Sequence, residues 1–456
     1  MLELLVGAIV VIFVARFILK GCNPQGVLFG GAIALFIFTI LQGGSIMPEG
    51  VKSTGILWLD IFEYIKFMFM DRAGGLGMII MALCGFAAYM TKVGANEVVV
   101  DLFTKPLARL KSPYILLFSA FLVGSLLSLA VSSATGLGVL LMATLFPVLT
   151  RLGISRLSAT AAMATTASIS FSPTSSDSIV AAQSVGVSLN EYVFSMQWPA
   201  AMPAIIAIGI GHIIWQKYMD QKHGLTGGES VEVEQSLDII APRYYALFPF
   251  LPVIFVTLFG SGLIAGLELE VVTILLICIF IVMLVEMIRH RDSDVVFGGM
   301  KHCFEKMGEA FSNVVTLLIA AGVFSQGLVA SGVIDNLLGL TSNMGFGPVL
   351  IMLFFVAITL IASIIMGSGN APFYAFVELI PAIAMKMGIN PAFLILPMQQ
   401  ASNAGRGMSP VAGVIVATAG IAQVSPMDLV KRTIPPLAFG LVVNIVITLF
   451  YLPIYP

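Results

Sequence analysis

Residues 401–410, ASNAGRGMSP, set one full positive charge, Arg406, between two apolar runs, Pro391-AFLILPMQQ and Val411-AGVIVATAG. An arginine between glycines, with serines and an asparagine around it, makes a poor surface loop and a good interruption of a membrane helix. Arginine keeps its charge, and hydrocarbon tolerates it only when it faces protein, water or an anion. A short extramembrane turn is the plainer alternative. A second break of the same kind, Ser168-ISFSPTSSDS, at the corresponding place in the other half of the chain weakens that alternative.

The rest of the chain agrees with a membrane setting. Of its 456 residues, 59% are hydrophobic and 10% charged, against about 25% charged in soluble domains, and the mean hydropathy is +1.03. A net charge of −2 leaves no basic surface for nucleic acid. Cys22, Cys84, Cys278 and Cys303 and the histidines are scattered, without disulfide or metal-ligand spacing. No catalytic or cofactor-binding motif is present, and the absence of a GxxxxGK[ST] loop argues against ATP-driven transport. The N-terminal apolar run has Glu3 in place of a basic flank and reads as a first span instead of a cleaved signal.

Apolar runs near the length that crosses about 30 Å of hydrocarbon occur at 3–20, 25–41, 74–91, 192–216, 244–263, 269–288, 312–330 and 433–452. Residues 56–70 and 292–307 are amphipathic and are expected to lie at the interface. Residues 113–149 and 347–385 are pairs of shorter runs with polar tips, expected as re-entrant hairpins, and 157–186 and 391–420 are broken spans. Non-helical stretches are expected at Val131 to Gly136, Ser168 to Ser178, Met366 to Pro372 and Ser402 to Pro410. A polar, acidic stretch, 217–243, joins residues 1–216 to 244–456.

The two parts correspond. Gly85 matches Gly322, Gly94 matches Gly332, Pro147 matches Pro381, Gly153-Ile154 matches Gly388-Ile389, Ser172-Pro173 matches Ser409-Pro410, and Pro199 matches Pro435, at separations of 234 to 238 residues. Five crossings and a hairpin in each part make the second part an inverted copy of the first, as in many secondary transporters. The expected fold is therefore an all-α polytopic membrane protein of two inverted repeats, with about ten membrane spans, two re-entrant hairpins and two broken helices. With both termini periplasmic, 17 of the 22 Lys and Arg residues fall on the cytoplasmic side, the exceptions being Lys52, Lys66, Arg72, Lys386 and the intramembrane Arg406.

The four breaks are where chemistry is expected. Interrupted helices present free N–H groups to anions and free carbonyls to cations. Ser132, Ser133 and Thr135 at one tip, Ser368 and Asn370 at the other, and Asn403 and Arg406 in the second broken helix form the candidate substrate site. Arg406 offers a planar fork suited to a carboxylate. The first broken helix supplies Asp177, with Thr174 and Ser175, as the candidate coupling group for H+ or a cation. Asp177 could equally cap the second half-helix or pair with Arg406, and Ser, Thr and Gly also serve close helix packing.

Three stretches carry a resemblance: Ser128-LAVSSATGLGVLLMATLFP, Gly367-SGNAPFYAFVELIP and Gln400-ASNAGRGMSPVAGV. Over nearly its whole length the chain resembles the anaerobic C4-dicarboxylate carriers of the DcuC kind, which in turn resemble a broader ion-transporter superfamily. The resemblance implies a homodimeric elevator-type carrier of succinate, fumarate, malate or aspartate in the bacterial inner membrane, working by efflux, uptake or exchange and without a cofactor. Sodium-coupled relatives carry Ser-Asn-Thr at both hairpin tips. Here Ser132-Ser133-Ala134-Thr135 and Ser368-Gly369-Asn370 stand instead, which favours H+ over Na+ as coupling ion. The alternative on the same fold is a carrier of amino acids or monocarboxylates, and the alternatives from other classes are a channel or a membrane enzyme.

Overall fold

The computed structural model describes residues 2–455 except 21, 49, 108–109, 225–240, 260–268, 335 and 337–346. Every regular element among them is helical. The first part contains α1 (Leu2–Leu19), α2 (Pro24–Leu41), α3 (Leu57–Gly74), α4 (Leu76–Lys92), α5 (Ala95–Thr104), α6 (Pro113–Leu127), α7 (Ala134–Thr144), α8 (Phe146–Arg151), α9 (Arg156–Ala164), α10 (Ser176–Val185) and α11 (Trp198–His223). The second contains α12 (Leu251–Phe259), α13 (Val271–His290), α14 (Ser293–Ala310), α15 (Thr316–Ala330), α16 (Pro348–Met366), α17 (Ala371–Val377), α18 (Ile380–Met387), α19 (Pro391–Gly407), α20 (Gly413–Ala422) and α21 (Pro426–Tyr451). Pro24, Pro113, Pro348, Pro391 and Pro426 each open a helix, where the missing N–H costs nothing. Most of the expected linker 217–243 and the end of the expected span 244–263 lie outside the described residues.

Among the described residues six helical stretches are long and apolar enough to cross a membrane: Pro24–Leu41, Glu191–His223, Val271–His290, Ser293–Ala330, Pro348–Met366 and Pro426–Tyr451. The pair α3 and α4, bent by 43°, makes a seventh if counted together. The chain is a multi-pass α-helical membrane protein. Two expectations are corrected here. The amphipathic stretches do not stand apart from the spans: α3 meets α4 at Gly75, and α14 runs through a π-helical turn, Phe311–Val315, into α15. A second π-helical turn, Glu191–Gln197, leads into α11.

The breaks are also shifted. Ser402 to Gly407 are helical, so Arg406 sits in the last turn of α19 and the interruption is 408–412. The chain leaves the helix where Ser409 precedes Pro410, because proline's ring disfavours helical geometry in the residue before it. The first interruption is 165–175, and Ser176 to Ser178 already belong to α10. At the tips, the non-helical residues are 128–133 and 367–370. Ala134 to Gly136 and Ala371 to Pro372 form the first turns of α7 and α17.

Small residues let these helices approach closely. On α21, a Cβ built at Gly440 would lie 2.2 Å from Ile208 Cγ1 of α11, and one at Gly405 of α19 would lie 2.6 Å from Ser363 Cβ of α16. The same contact is tied by a hydrogen bond between Ser363 and Ser402 (2.9 Å). Across the two parts, α7 packs on α20 and α10 packs on α17 and α19. The elements flanking each break are thus held by elements of the other part.

Candidate functional site

The first break frees backbone groups that a membrane interior cannot solvate, and side chains from elsewhere meet them. Gln400 Nε2 donates to Ser170 O (2.8 Å) while Gln400 Oε1 accepts from Ser170 N (2.8 Å), so one amide side chain replaces a backbone partner on both sides. Trp198 Nε1 donates to Phe171 O (2.7 Å), and Arg406 Nη2 donates to Ala167 O (2.5 Å). Gln400 is fully buried. The break is a built feature with its own partners.

Beside it lies a cavity of about 350 Å³, walled by the first break, α4, the start of α5, the 128–133 tip, Asn370 and α19. Eight of the ten candidate residues line it: Ser132, Ser133, Thr174, Ser175, Asp177, Asn370, Asn403 and Arg406. The other two face elsewhere. Ser368 Oγ accepts from Ala371 N (3.2 Å) at the start of α17, and Thr135 Oγ1 lies 3.2 Å from the position a Cβ would take on Gly413 of α20. Ser133 combines both roles, since its Oγ also accepts from Gly136 N (3.1 Å) as the cap of α7.

Asp177 and Arg406 share this cavity without pairing. The carboxylate accepts from Asn403 Nδ2 (2.8 Å) and Gln399 Nε2 (3.1 Å) on Oδ2 and from Ser170 Oγ (3.2 Å) on Oδ1. These side-chain donors, and not the N–H groups of its own helix, are its partners, so the capping role is not the one adopted. The guanidinium is half-buried, spends Nη2 on Ala167 O, and has no carboxylate partner among the described residues. Its other edge meets the second tip: a Cβ on Gly369 would lie 3.1 Å from Arg406 Nη1 and 3.0 Å from Asn403 Oδ1. A planar cation with free donors, a nearby carboxylate already satisfied, and hydroxyl and amide groups around both form a seat for a small anion.

A model of the C4-dicarboxylate anaerobic carrier family, DcuC, matches residues 2–452. The chain belongs to this family. It is 48% identical over 452 residues to the anaerobic C4-dicarboxylate transporter DcuC of Escherichia coli K12, covering 99% of this chain and 97% of that one. It is 49% identical over 456 residues to the probable anaerobic C4-dicarboxylate transporter DcuC of Vibrio cholerae, covering 100% and 99%. Two solved structures share the fold: the Alcanivorax borkumensis YdaH transporter (TM-score 0.60, 17% identity, 95% of this chain and 100% of that one) and Neisseria gonorrhoeae MtrF (TM-score 0.56, 15% identity, 95% and 97%).

In this DcuC-family chain the sequence reading missed the residues that hold Asp177 and the break in place. Gln399, fully buried, accepts from Tyr192 OH (2.7 Å) and Gln197 Nε2 (3.1 Å), both from the π-helical turn before α11. With its oxygen so occupied, its nitrogen must face Asp177. A QQ pair ahead of ASNAGRG was the available signal. Arg432, counted in the sequence only as one of the cytoplasmic basic residues, is buried against Asp220 (2.7 Å), whose carboxylate also accepts from Ser155 and Ser158, and so ties α9 to α11 and α21. A part-buried pair, Arg72–Glu378 (2.7 Å), ties the residue after α17 to α3.

Proposed function

We propose that the cavity between the two breaks is the transport site of a C4-dicarboxylate carrier, with Arg406 binding one substrate carboxylate. Membership of the DcuC family makes the chain a secondary carrier of C4-dicarboxylates and not an enzyme. The observation that carries the site assignment is the Arg406 guanidinium, inside the membrane, lining the cavity with no carboxylate partner among the described residues. An unpaired charge at that depth is costly unless an anion completes it. Ser132, Ser133 and Asn370 are placed to receive the second carboxylate.

Asp177 is the group we assign to coupling, with H+ as the ion and Na+ as the alternative, and with Thr174 and Ser175 beside it. Oδ2 accepts from both Asn403 and Gln399, so a proton taken up on that oxygen must release or turn one of these donors, and both stand on the Arg406 helix. Proton uptake at Asp177 is thereby communicated to the anion seat through one turn of α19.

The inverted two-repeat architecture, the re-entrant hairpins and the elevator motion belong to the same proposal. They are supported by the order of elements around each break and by paired glycines at positive φ, Gly94 (77°) with Gly332 (70°) and Gly153 (94°) with Gly388 (65°). α16 has 19 residues and is longer than α6 with 15, so the second hairpin has the deeper first limb. A homodimer in the bacterial inner membrane with both termini periplasmic completes the reading. The deciding experiment is counterflow of labelled succinate in proteoliposomes, competed by fumarate, lactate and a neutral amino acid. Competition by lactate as strong as by fumarate overturns the dicarboxylate site.

A further inference from the structure

Away from Arg406, one wall of the cavity is made by α4 and the first turn of α5. Leu83, Ala87 and Thr91 recur every four residues and so share one face of α4. Asn96, the second residue of α5, also lines the cavity and is 4% exposed.

The hydrogen bonds around Asn96 settle which way its amide points. Thr91 Oγ1 donates to Ala87 O (3.2 Å), and Asn96 Nδ2 lies 2.8 Å from Thr91 Oγ1. A hydroxyl has one proton to give. With that proton on the Ala87 carbonyl, Thr91 can only accept from Asn96, so the nitrogen must face Thr91 and the oxygen must face away. Asn96 Oδ1 is buried and has no donor among the described residues. Several buried side-chain atoms among the described residues have no partner, and of these Asn96 Oδ1 is the one that belongs to the lining of this cavity.

An amide oxygen can only accept. A carboxylate also only accepts, so the dianions of succinate and fumarate offer Asn96 Oδ1 nothing. A C4-dicarboxylate with a hydroxyl or ammonium on carbon 2 offers the missing donor. We propose that Asn96 is a specificity-determining residue, accepting a hydrogen bond from the carbon-2 hydroxyl or ammonium of the substrate. This rests on the cavity being the dicarboxylate seat, and it goes beyond that reading by naming which members of the substrate class the wall favours. The satisfied carboxylate of Asp177 does not serve the same purpose, because its donors already come from Asn403, Gln399 and Ser170.

The test measures competition of succinate, fumarate, L-malate and L-aspartate against labelled succinate counterflow by the full-length carrier, for wild type, Asn96→Leu, Asn96→Asp, Thr91→Val and Arg406→Ala. In Asn96→Leu the affinity for malate relative to succinate is expected to fall roughly three- to tenfold, the range of one neutral hydrogen bond, and that for aspartate by more than about tenfold, since its donor is charged. Asn96→Asp should raise aspartate relative to malate, because only the ammonium gains from the added negative charge. Thr91→Val keeps the side-chain shape but frees the amide to turn, and should lower the malate-to-succinate ratio even if the leucine variant fails to insert. Equal losses for all four competitors, or unchanged ratios in both Asn96→Leu and Thr91→Val, overturn the proposal. The arginine arm separates the two readings: Arg406→Ala should weaken all four substrates together. If it weakens none while Asn96→Leu still shifts the ratios, the Arg406 seat fails and the role of Asn96 stands.

Discussion

Asn403 Nδ2 lies 2.8 Å from Asp177 Oδ2, and Asn403 stands one turn before Arg406 on the same helix. The buried acid and the half-buried guanidinium are therefore linked through an amide on the guanidinium's own helix instead of an ion pair. This leaves the guanidinium available to a substrate and makes the state of the carboxylate legible to the helix that carries it.

Asp177→Asn should abolish uptake driven by an inward proton gradient while retaining part of the succinate exchange, since exchange does not require an empty carrier to return. The measurement is uptake and counterflow in proteoliposomes with pH and sodium gradients imposed separately. A sodium requirement together with an unchanged pH response in the variant removes the proton role from Asp177.

Arg406→Ala should weaken succinate binding by about 2–5 kcal/mol, the cost of leaving a desolvated carboxylate unpaired, or roughly 30-fold to several thousandfold. Arg406→Lys should recover little, because an ammonium cannot bind Ala167 O and a carboxylate together with a planar fork. Calorimetric titration of the purified carrier decides it, and wild-type affinity in the alanine variant makes Arg406 structural.

Gly369→Ala presses a methyl group against Asn403 Oδ1 and Arg406 Nη1, at 3.0 and 3.1 Å. Overpacking of this kind costs about 1–3 kcal/mol, here expected as weaker succinate binding with normal membrane insertion. Gly420→Ala, which meets no atom within 4 Å, is the control. Equal affinities in the two variants refute a contact between this tip and the anion seat.

Gln400→Leu leaves both the N–H and the carbonyl of Ser170 without their partner. Each unsatisfied buried group costs about 1–3 kcal/mol, so the thermal unfolding midpoint in detergent should drop. Gln400→Glu should recover the bond from Ser170 N and not the one to Ser170 O. A midpoint equal to wild type in the leucine variant means that water serves the break as well as the amide does.

Single cysteines at Lys222 and Arg291, introduced into a chain without its own cysteines, should be labelled only from the cytoplasm, and one at Lys52 only from the periplasm. Labelling of residue 52 from the cytoplasm reverses the orientation read from the basic residues.

Much of this was legible in the sequence because membrane helices announce themselves locally. Apolar length, helix-opening prolines and the Ser-Pro steps at 172–173 and 409–410 are all short-range signals. Where the reading slipped, a longer-range term decided. The run ASNAGRG is polar enough to resemble a loop, yet it stays helical because Ser402, Asn403 and Arg406 find partners in Gly369, Asp177 and Ala167. Ser368 and Thr135 look like ligands in sequence, but short hydroxyl side chains also bond to neighbouring backbone, and Ser368 does so. The Gln399–Gln400 pair stands out as polar in its neighbourhood but does not say what it serves, since the groups it serves lie more than two hundred positions away.

That distance has a consequence for how the protein is made. Ser170 leaves the ribosome 230 residues before Gln400. At a synthesis rate of about 5–20 residues per second, the wait is roughly 10–50 s. Throughout that interval the Ser170 N–H and carbonyl lack the Gln400 amide that meets them in the finished fold. Residues 165–175 are therefore expected to stay beside water or the insertion machinery until α19 arrives, and a chain truncated before residue 400 should be recognised by the cell's membrane proteases as incomplete.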